Sequence, residues 1–223
     1  MQLTSEQQRI VSSAAARLAV QAGAGAAKTT TLCAYAQARP RSRVLYVAFN
    51  KAIQLEAAAR MPANVSARTT HSLAWRKARE LFGDRAGERV GSTYPSTVSR
   101  AFGCTPLAAT AALQAIQKWC GSLEVELAAE HLPAEVASRL PDPAALVALA
   151  RAVWERMVDA NERELNLPHD GYLKLYQMAR PVLSGFDLIA VDEAQDLWNP
   201  PVNRTTTLPV PSPFLYHSAY GTH

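Results

Sequence analysis

The sequence predicts an α/β fold in which a parallel sheet flanked by helices is interrupted by an all-α insertion, and three stretches carry that expectation. Residues 19–32, Ala-Val-Gln-Ala-Gly-Ala-Gly-Ala-Ala-Lys-Thr-Thr-Thr-Leu, read as a buried strand, a glycine-bearing turn and the opening of a helix. Residues 43–50, Arg-Val-Leu-Tyr-Val-Ala-Phe-Asn, are a near-continuous apolar run of the kind found in a parallel strand buried on both faces. Residues 186–196, Phe-Asp-Leu-Ile-Ala-Val-Asp-Glu-Ala-Gln-Asp, are a further apolar strand that ends in two adjacent carboxylates. Strand, turn, helix, strand makes a βαβ unit, and its order is that of a doubly wound sheet.

Taken in order, Leu3 to Val11 carries a helix-start signature, with Thr4 or Ser5 as N-cap, Glu6, Gln7 and Gln8 in the first turn, and apolar residues following at helical spacing. After the turn, residues 29–38 read as a helix that ends at Arg39-Pro40, and 51–60 as another. Residues 65–69 fit a short strand, and Thr70 opens the next helix. From about Leu81 to Pro181 the period changes. Leu107, Ala111, Leu113, Ile116 and Trp119, then Leu146, Leu149, Val153 and Met157, recur at three-to-four spacing between Gly- and Pro-bearing turns. No strand run comparable to 43–50 occurs there, so 81–181 reads as a separate helical subdomain, with its Trp and Met residues in the core. The expected domains are therefore 1–80 with 182–199, the insertion 81–181, and a Pro- and Thr-rich tail 200–223 without helical periodicity, expected to be irregular.

The chain of 223 residues is 48% hydrophobic and 19% charged, enough for one large domain with a sizeable insertion. Residues 1–100 hold fifteen Lys/Arg against five Asp/Glu, although the whole chain is only +4, so the basic charge is concentrated in the first half. That distribution suits a polyanion, nucleotide or nucleic acid, and equally a solvated arginine-rich surface. Cys33, Cys104 and Cys120 are an odd number without C-x-x-C spacing, which indicates neither a disulfide framework nor a zinc site. The polar N-terminus and the lack of a long apolar run predict a soluble protein with no membrane partner, cytoplasmic or nucleoid-associated.

The turn at 22–29 has the layout of a phosphate-binding loop. In such a loop the backbone N–H groups of Gly23, Ala24, Gly25, Ala26 and Ala27 and the positive end of the helix, with Thr30 in its first turn, meet an anionic polyphosphate. Lys28 adds a mobile cation, and the Thr29 hydroxyl reaches a magnesium ion. The strict pattern G-x-x-x-x-G-K-[ST] has glycine where this chain has Ala22 and Ala27. Alanine at position 27 introduces either a clash or an unfavourable dihedral, at about 1–3 kcal/mol. Asp192 stands at the carboxyl end of its strand, the edge where open α/β sheets bind ligands. A carboxylate there can hold the magnesium complex, and Glu193 can orient or deprotonate an attacking water.

The segments Leu3-Thr-Ser-Glu-Gln7, Ala22-Gly-Ala-Gly-Ala-Ala-Lys-Thr29, Val47-Ala-Phe-Asn-Lys51, Thr69-Thr-His-Ser-Leu73 and Val191-Asp-Glu-Ala-Gln-Asp196 resemble, in order, the Q motif and motifs I, Ia, Ib and II of UvrD/Rep-like superfamily 1 DNA helicases. Leu167-Pro-His-Asp-Gly-Tyr-Leu-Lys-Leu-Tyr176, with the wording of motif Ia, resembles the F-box DNA helicase branch and its bacterial and phage relatives more closely. The resemblance covers residues 1 to about 199. It implies a RecA-like ATPase domain carrying a helical insertion, with ATP and Mg2+ as ligands and single-stranded DNA as partner.

Residue by residue, it assigns Gln7 to the adenine edge, Lys28 to the β/γ-phosphates, Thr29 and Asp192 to magnesium, Glu193 to the hydrolytic water and Gln195 to the γ-phosphate. Phe49, Asn50, Thr70 and His71 fall on the single-stranded DNA track, where a ring stacks on a base and polar groups meet phosphates. Without the resemblance, Gln7 reads as an exposed helix residue and His71 as a structural histidine. His169 and Tyr172 either help to bind DNA or seat the insertion.

Such helicases act with 3′ to 5′ polarity and need a second RecA-like domain, which closes over the nucleotide. Motifs III to VI are not found after Asp196. The tail is therefore expected to be an unrelated ending from a frameshift or truncation, with the second domain lost or separately encoded. Two readings follow. One is the ATP- and DNA-binding portion of a helicase that is inactive alone. The other is a non-catalytic remnant with a degenerate loop that binds nucleotide or DNA without turnover.

Overall fold

The computed structural model describes residues 2–23, 25–137, 142–192 and 214–218. It divides into two units, Met1–Leu73 with Val182–His223, and Ala74–Pro181. The boundary lies a few residues before the one expected at 80/81.

The first unit is a parallel sheet flanked by helices. Its elements are α1 (Ser5–Ser12), β1 (Arg17–Gln21), α2 (Lys28–Gln37), β2 (Val44–Ala48), α3 (Lys51–Arg60), β3 (Val65–Thr69), the start of α4 (Thr70–Phe82), β4 (Leu188–Val191) and β5 (Phe214–Ser218). The sheet order is β1-β5-β4-β2-β3, and every neighbouring pair is parallel. All five residues of β2 are buried, as its apolar run requires. Val44, Tyr46 and Ala48 pack with Leu32, Tyr35 and Ala36 of α2 and Ala57 of α3. The alternate residues Leu45 and Val47 pack with Ile189 and, at its rim, Leu73, Leu183 and Phe186. One strand thus supplies both faces of the core, the period of two placing successive side chains on opposite sides.

Residues 200–223 were expected to be irregular, yet Phe214–Ser218 forms a strand between β1 and β4. The prolines stop at Pro213, and Phe-Leu-Tyr has the aromatic character that favours extended backbone. A period-based reading weighs the Pro/Thr stretch before it and passes over five residues that two open strand edges can pair.

The second unit is helical: the remainder of α4, α5 (Ala86–Arg89), α6 (Pro95–Phe102), α7 (Pro106–Cys120), α8 (Ala134–Ala137), α9 (Pro143–Val158) and α10 (His169–Met178). Its core joins Ala111, Ile116 and Trp119 of α7 to Leu146, Val153 and Met157 of α9, and Trp119 meets Trp154 edge-on at 4.9 Å. Leu107, counted in the apolar period, is instead exposed in the first turn of α7. Tyr172 is buried and stands edge-on to Trp75 at 5.3 Å, so of its two expected roles it serves to seat this unit. Two buried cations donate to backbone carbonyls, although Arg89 Nε has no hydrogen-bond partner among the described residues. Arg89 donates to Leu165, Met157 and Asp159, and Lys174 donates to Ser122 and Glu124. Such bonding is what makes burial of a charge tolerable. Among the described residues no helix is long and apolar enough to cross a membrane.

Glu162 fastens the turn after α9. Its carboxylate accepts from the backbone N–H groups of Arg163 and Glu164, each at 2.8 Å, and from the Arg156 guanidinium. Burial pushes this carboxyl up, but the two N–H groups and Arg156 outweigh that and hold it below its ordinary value. A carboxyl depressed in the folded state contributes stability above its unfolded pKa, and that contribution is lost as the pH falls through the folded value. The helical unit is therefore expected to lose stability below pH 4.5. Glu162→Gln should lower the melting temperature at neutral pH and flatten the loss on acidification, read by circular dichroism melts on both sides of that pH.

Candidate phosphate-binding site

Parallel strands put all their carboxyl ends on one edge, and the register shows which residues meet there. Val47 pairs with Val191 across β2 and β4, and the Asp192 N–H donates to the Val47 carbonyl at 3.2 Å. Ala48 pairs with Thr69 across β2 and β3. Phe49, Asn50, Thr70, His71 and Asp192 therefore all follow directly at this edge. On the other side Val191 pairs with Tyr216 and Gln21 with Ser218. The turn from β1 to α2 accordingly leaves the sheet at the same edge, about two residues farther along the strands.

In that turn the Ala26 N–H donates to the Gly23 carbonyl at 3.3 Å. Gly25 has φ +76° and Ala27 φ +53°, ψ +40°. Of the two costs foreseen for alanine at position 27, the structure thus selects the dihedral, because Ala27 occupies the left-handed region. It is also the N-cap of α2 with no side chain to cap the helix. The first turn of a helix directs N–H groups outward without intrahelical acceptors, and its dipole favours an anion there. Gly25, Ala26, Ala27, Lys28, Thr29, Thr30 and Arg60 line a cleft of about 270 Å³ at this position. No acidic residue lies in the first turn of α2.

Arg60 escaped the sequence reading. It ends α3, where a basic residue reads as an ordinary complement to the helix dipole. It pairs with Glu56 at 3.1 Å and donates to the Thr30 hydroxyl at 3.4 Å. Only the packing of α3 beside α2 brings its guanidinium to the loop.

Gln7, expected at an adenine edge, makes a capping box with Thr4. Its Oε1 accepts from the Thr4 N–H at 3.0 Å, while Thr4 Oγ1 accepts from the Gln7 N–H at 3.2 Å. Its Nε2 donates to the Thr31 hydroxyl at 3.1 Å. A residue read either as exposed or as a base contact is therefore also a tie between α1 and α2.

Asp192 is buried and accepts a hydrogen bond from the Tyr46 hydroxyl of β2. Tyr46 reads in the sequence as part of a buried apolar strand; the structure also places its hydroxyl on this carboxylate. Thr29 is half-buried in the first turn of α2. At the neighbouring loops Phe49 is 46% exposed. Asn50 caps α3 through Oδ1, which accepts from the Ile53 N–H at 2.9 Å. Thr70 and His71 open α4 and are half-buried. Ala24, Glu193 and Gln195 lie outside the described residues.

A parallel α/β domain whose first strand feeds a glycine-bearing turn and an uncapped helix N-terminus has the layout of a phosphate-binding loop. The chain is homologous to a segment of F-box DNA helicases. It is 33% identical over 215 residues to F-box DNA helicase 1 of Gallus gallus, covering 88% of this chain and 21% of that protein. It is 29% identical over 219 residues to F-box DNA helicase protein 1 of Schizosaccharomyces pombe, covering 87% of this chain and 25% of that protein. The chain thus spans a quarter or less of the length of these curated relatives. No family model matches it.

Tyr46→Phe removes the hydroxyl donor from a buried carboxylate while keeping the ring. It is expected to destabilise the chain by about 1.5–3 kcal/mol, the range for a hydrogen bond to a charged group. Urea denaturation of the two proteins checks this.

Proposed function

We propose that this chain is the ATP- and single-stranded-DNA-binding portion of an ATP-dependent DNA helicase of 3′ to 5′ polarity. The observation that carries the reading is the cleft at the N-terminus of α2, lined by residues 25–30, Lys28 among them, and by Arg60. It opens at the sheet edge that also bears Asp192. Outward N–H groups with two cations suit a polyphosphate. The Thr29 hydroxyl and the Asp192 carboxylate are hard oxygen donors, the kind magnesium takes. When bound, that ion would neutralise charge on the phosphate oxygens.

The roles of the chain's own residues follow. Lys28 and Arg60 hold the β- and γ-phosphates. The Tyr46 hydroxyl fixes the Asp192 carboxylate toward the metal position. Glu193 orients the attacking water, and Gln195 senses the γ-phosphate. Gln7 presents its remaining N–H and lone pair to the adenine edge. Phe49 stacks on a base, with Asn50, Thr70 and His71 beside the DNA backbone. DNA activity in this reading draws on the similarity to DNA helicases and on the exposed Phe49.

Hydrolysis and unwinding belong to the chain joined to a second helicase domain, and the chain alone is expected to turn over ATP negligibly. The left-handed Ala27 supports a second reading, a module that holds nucleotide or DNA without turnover even when joined.

Titration calorimetry with ATP and Mg2+ tests the first reading. Lys28→Ala is expected to weaken binding tenfold or more and Arg60→Ala about fivefold, in keeping with charge-assisted hydrogen bonds of about 1.5–3 kcal/mol reduced by exposure at Arg60. Absence of ATP binding by the unaltered chain would overturn it.

Ala27→Gly separates the two readings. Because the dihedral belongs to the folded loop, its cost of about 1–2 kcal/mol falls mainly on folding. Glycine is expected to raise the melting temperature while changing ATP affinity less than threefold. A gain in affinity larger than tenfold would show that the methyl group blocks the phosphates and would favour the non-catalytic module.

A further inference from the structure

The Ala27 carbonyl accepts two hydrogen bonds from one residue, the Thr31 N–H at 3.0 Å and the Thr31 hydroxyl at 3.1 Å. Thr31 is only 3% exposed. A hydroxyl has a single proton, and a carbonyl can only accept, so the proton of Thr31 Oγ1 is committed to Ala27. Whatever else approaches that oxygen must donate. Gln7 does so with Nε2 at 3.1 Å, which fixes the orientation of its carboxamide and turns Oε1 toward the Thr4 N–H at 3.0 Å. Donor and acceptor roles are thus determined at each step from the cap of α1 to the strained residue of the phosphate loop.

We propose that Gln7 and Thr31 are positioning residues that hold Ala27 in its left-handed conformation, so that the N-terminal helix sets the phosphate affinity of the loop. This rests on the nucleotide reading above and adds to it a second duty for Gln7, one independent of any base. An alanine at φ +53° is held there only by what surrounds it. Release of the Thr31 hydroxyl lets the loop populate geometries in which its N–H groups no longer converge. Apparent affinity then falls in proportion to the competent fraction. The carboxamide retains one N–H and one lone pair, so a purine edge engaging it would bear on the same relay that braces the loop.

The test uses a ligand with no base. Inorganic tripolyphosphate with Mg2+ is titrated calorimetrically into the unaltered chain, Gln7→Ala, Thr31→Val, Thr31→Ser, and the Gln7→Ala change combined with Ala27→Gly. Gln7→Ala and Thr31→Val are expected to weaken tripolyphosphate binding about threefold to tenfold, the equivalent of one net hydrogen bond. Thr31→Ser, which keeps the hydroxyl, should restore binding to within twofold. In the Ala27→Gly background the Gln7→Ala loss should shrink below twofold, because glycine needs no bracing at positive φ. Circular dichroism confirms that each variant is folded. A Gln7→Ala variant that loses ATP affinity but binds tripolyphosphate unchanged would overturn the relay and leave the nucleotide reading standing. Failure of the unaltered chain to bind either ligand would overturn both.

Discussion

The backbone ladder on either side of β2 is the constraint on which the rest depends. β2 is buried on both faces, and its residues act at once as core and as rulers. Val47 sets the level of Asp192 through one hydrogen bond, Tyr46 orients the Asp192 carboxylate, and Ala48 sets the level of Thr69. Because the neighbouring strands run parallel, a single register places three loops and a carboxylate on one edge. Parallel pairing also demands crossover helices, and one of these, α3, delivers Arg60 to the loop of another, α2. The cleft is therefore a by-product of the same topology that builds the core.

Against that rigid frame the turn between β1 and α2 carries a local cost. Glycine is the residue that enters the left-handed region freely, and this chain has alanine at a position that occupies it. The surrounding structure offsets the cost with hydrogen bonds whose donors and acceptors are all assigned, from Thr4 through Gln7 and Thr31 to the Ala27 carbonyl. Such strain persists only where neighbours over-determine the conformation. The same arrangement explains how a loop departing from the strict glycine pattern still directs the first turn of α2 into an open cleft.

The helical unit obeys a different rule. Its core is apolar and aromatic, but two of its fasteners are buried cations, Arg89 and Lys174, each enclosed by carbonyl oxygens. Burial pushes both of their pKa values down, and the carbonyls keep the charged forms tolerable. Residues that composition alone would place on a solvated surface become internal ties. No periodicity count finds them, since their partners are backbone atoms far away in sequence.

Much of this was legible in the chain itself. Apolar runs mark β2 and β4, the glycine-bearing turn marks the passage from β1 into α2, and the polar start at Thr4 and Ser5 marks the cap of α1, which the structure assigns to Thr4. These are local properties, set by the side-chain period, by backbone freedom and by reach over three or four residues. The strand at Phe214–Ser218, the approach of Arg60 to Thr30, the Tyr46 hydroxyl on Asp192 and the bond from Gln7 to Thr31 were decided only by the tertiary structure. Each joins groups well separated along the chain, and a sequence records what a residue can donate or accept but not which partner the register and packing bring within 3 to 4 Å of it.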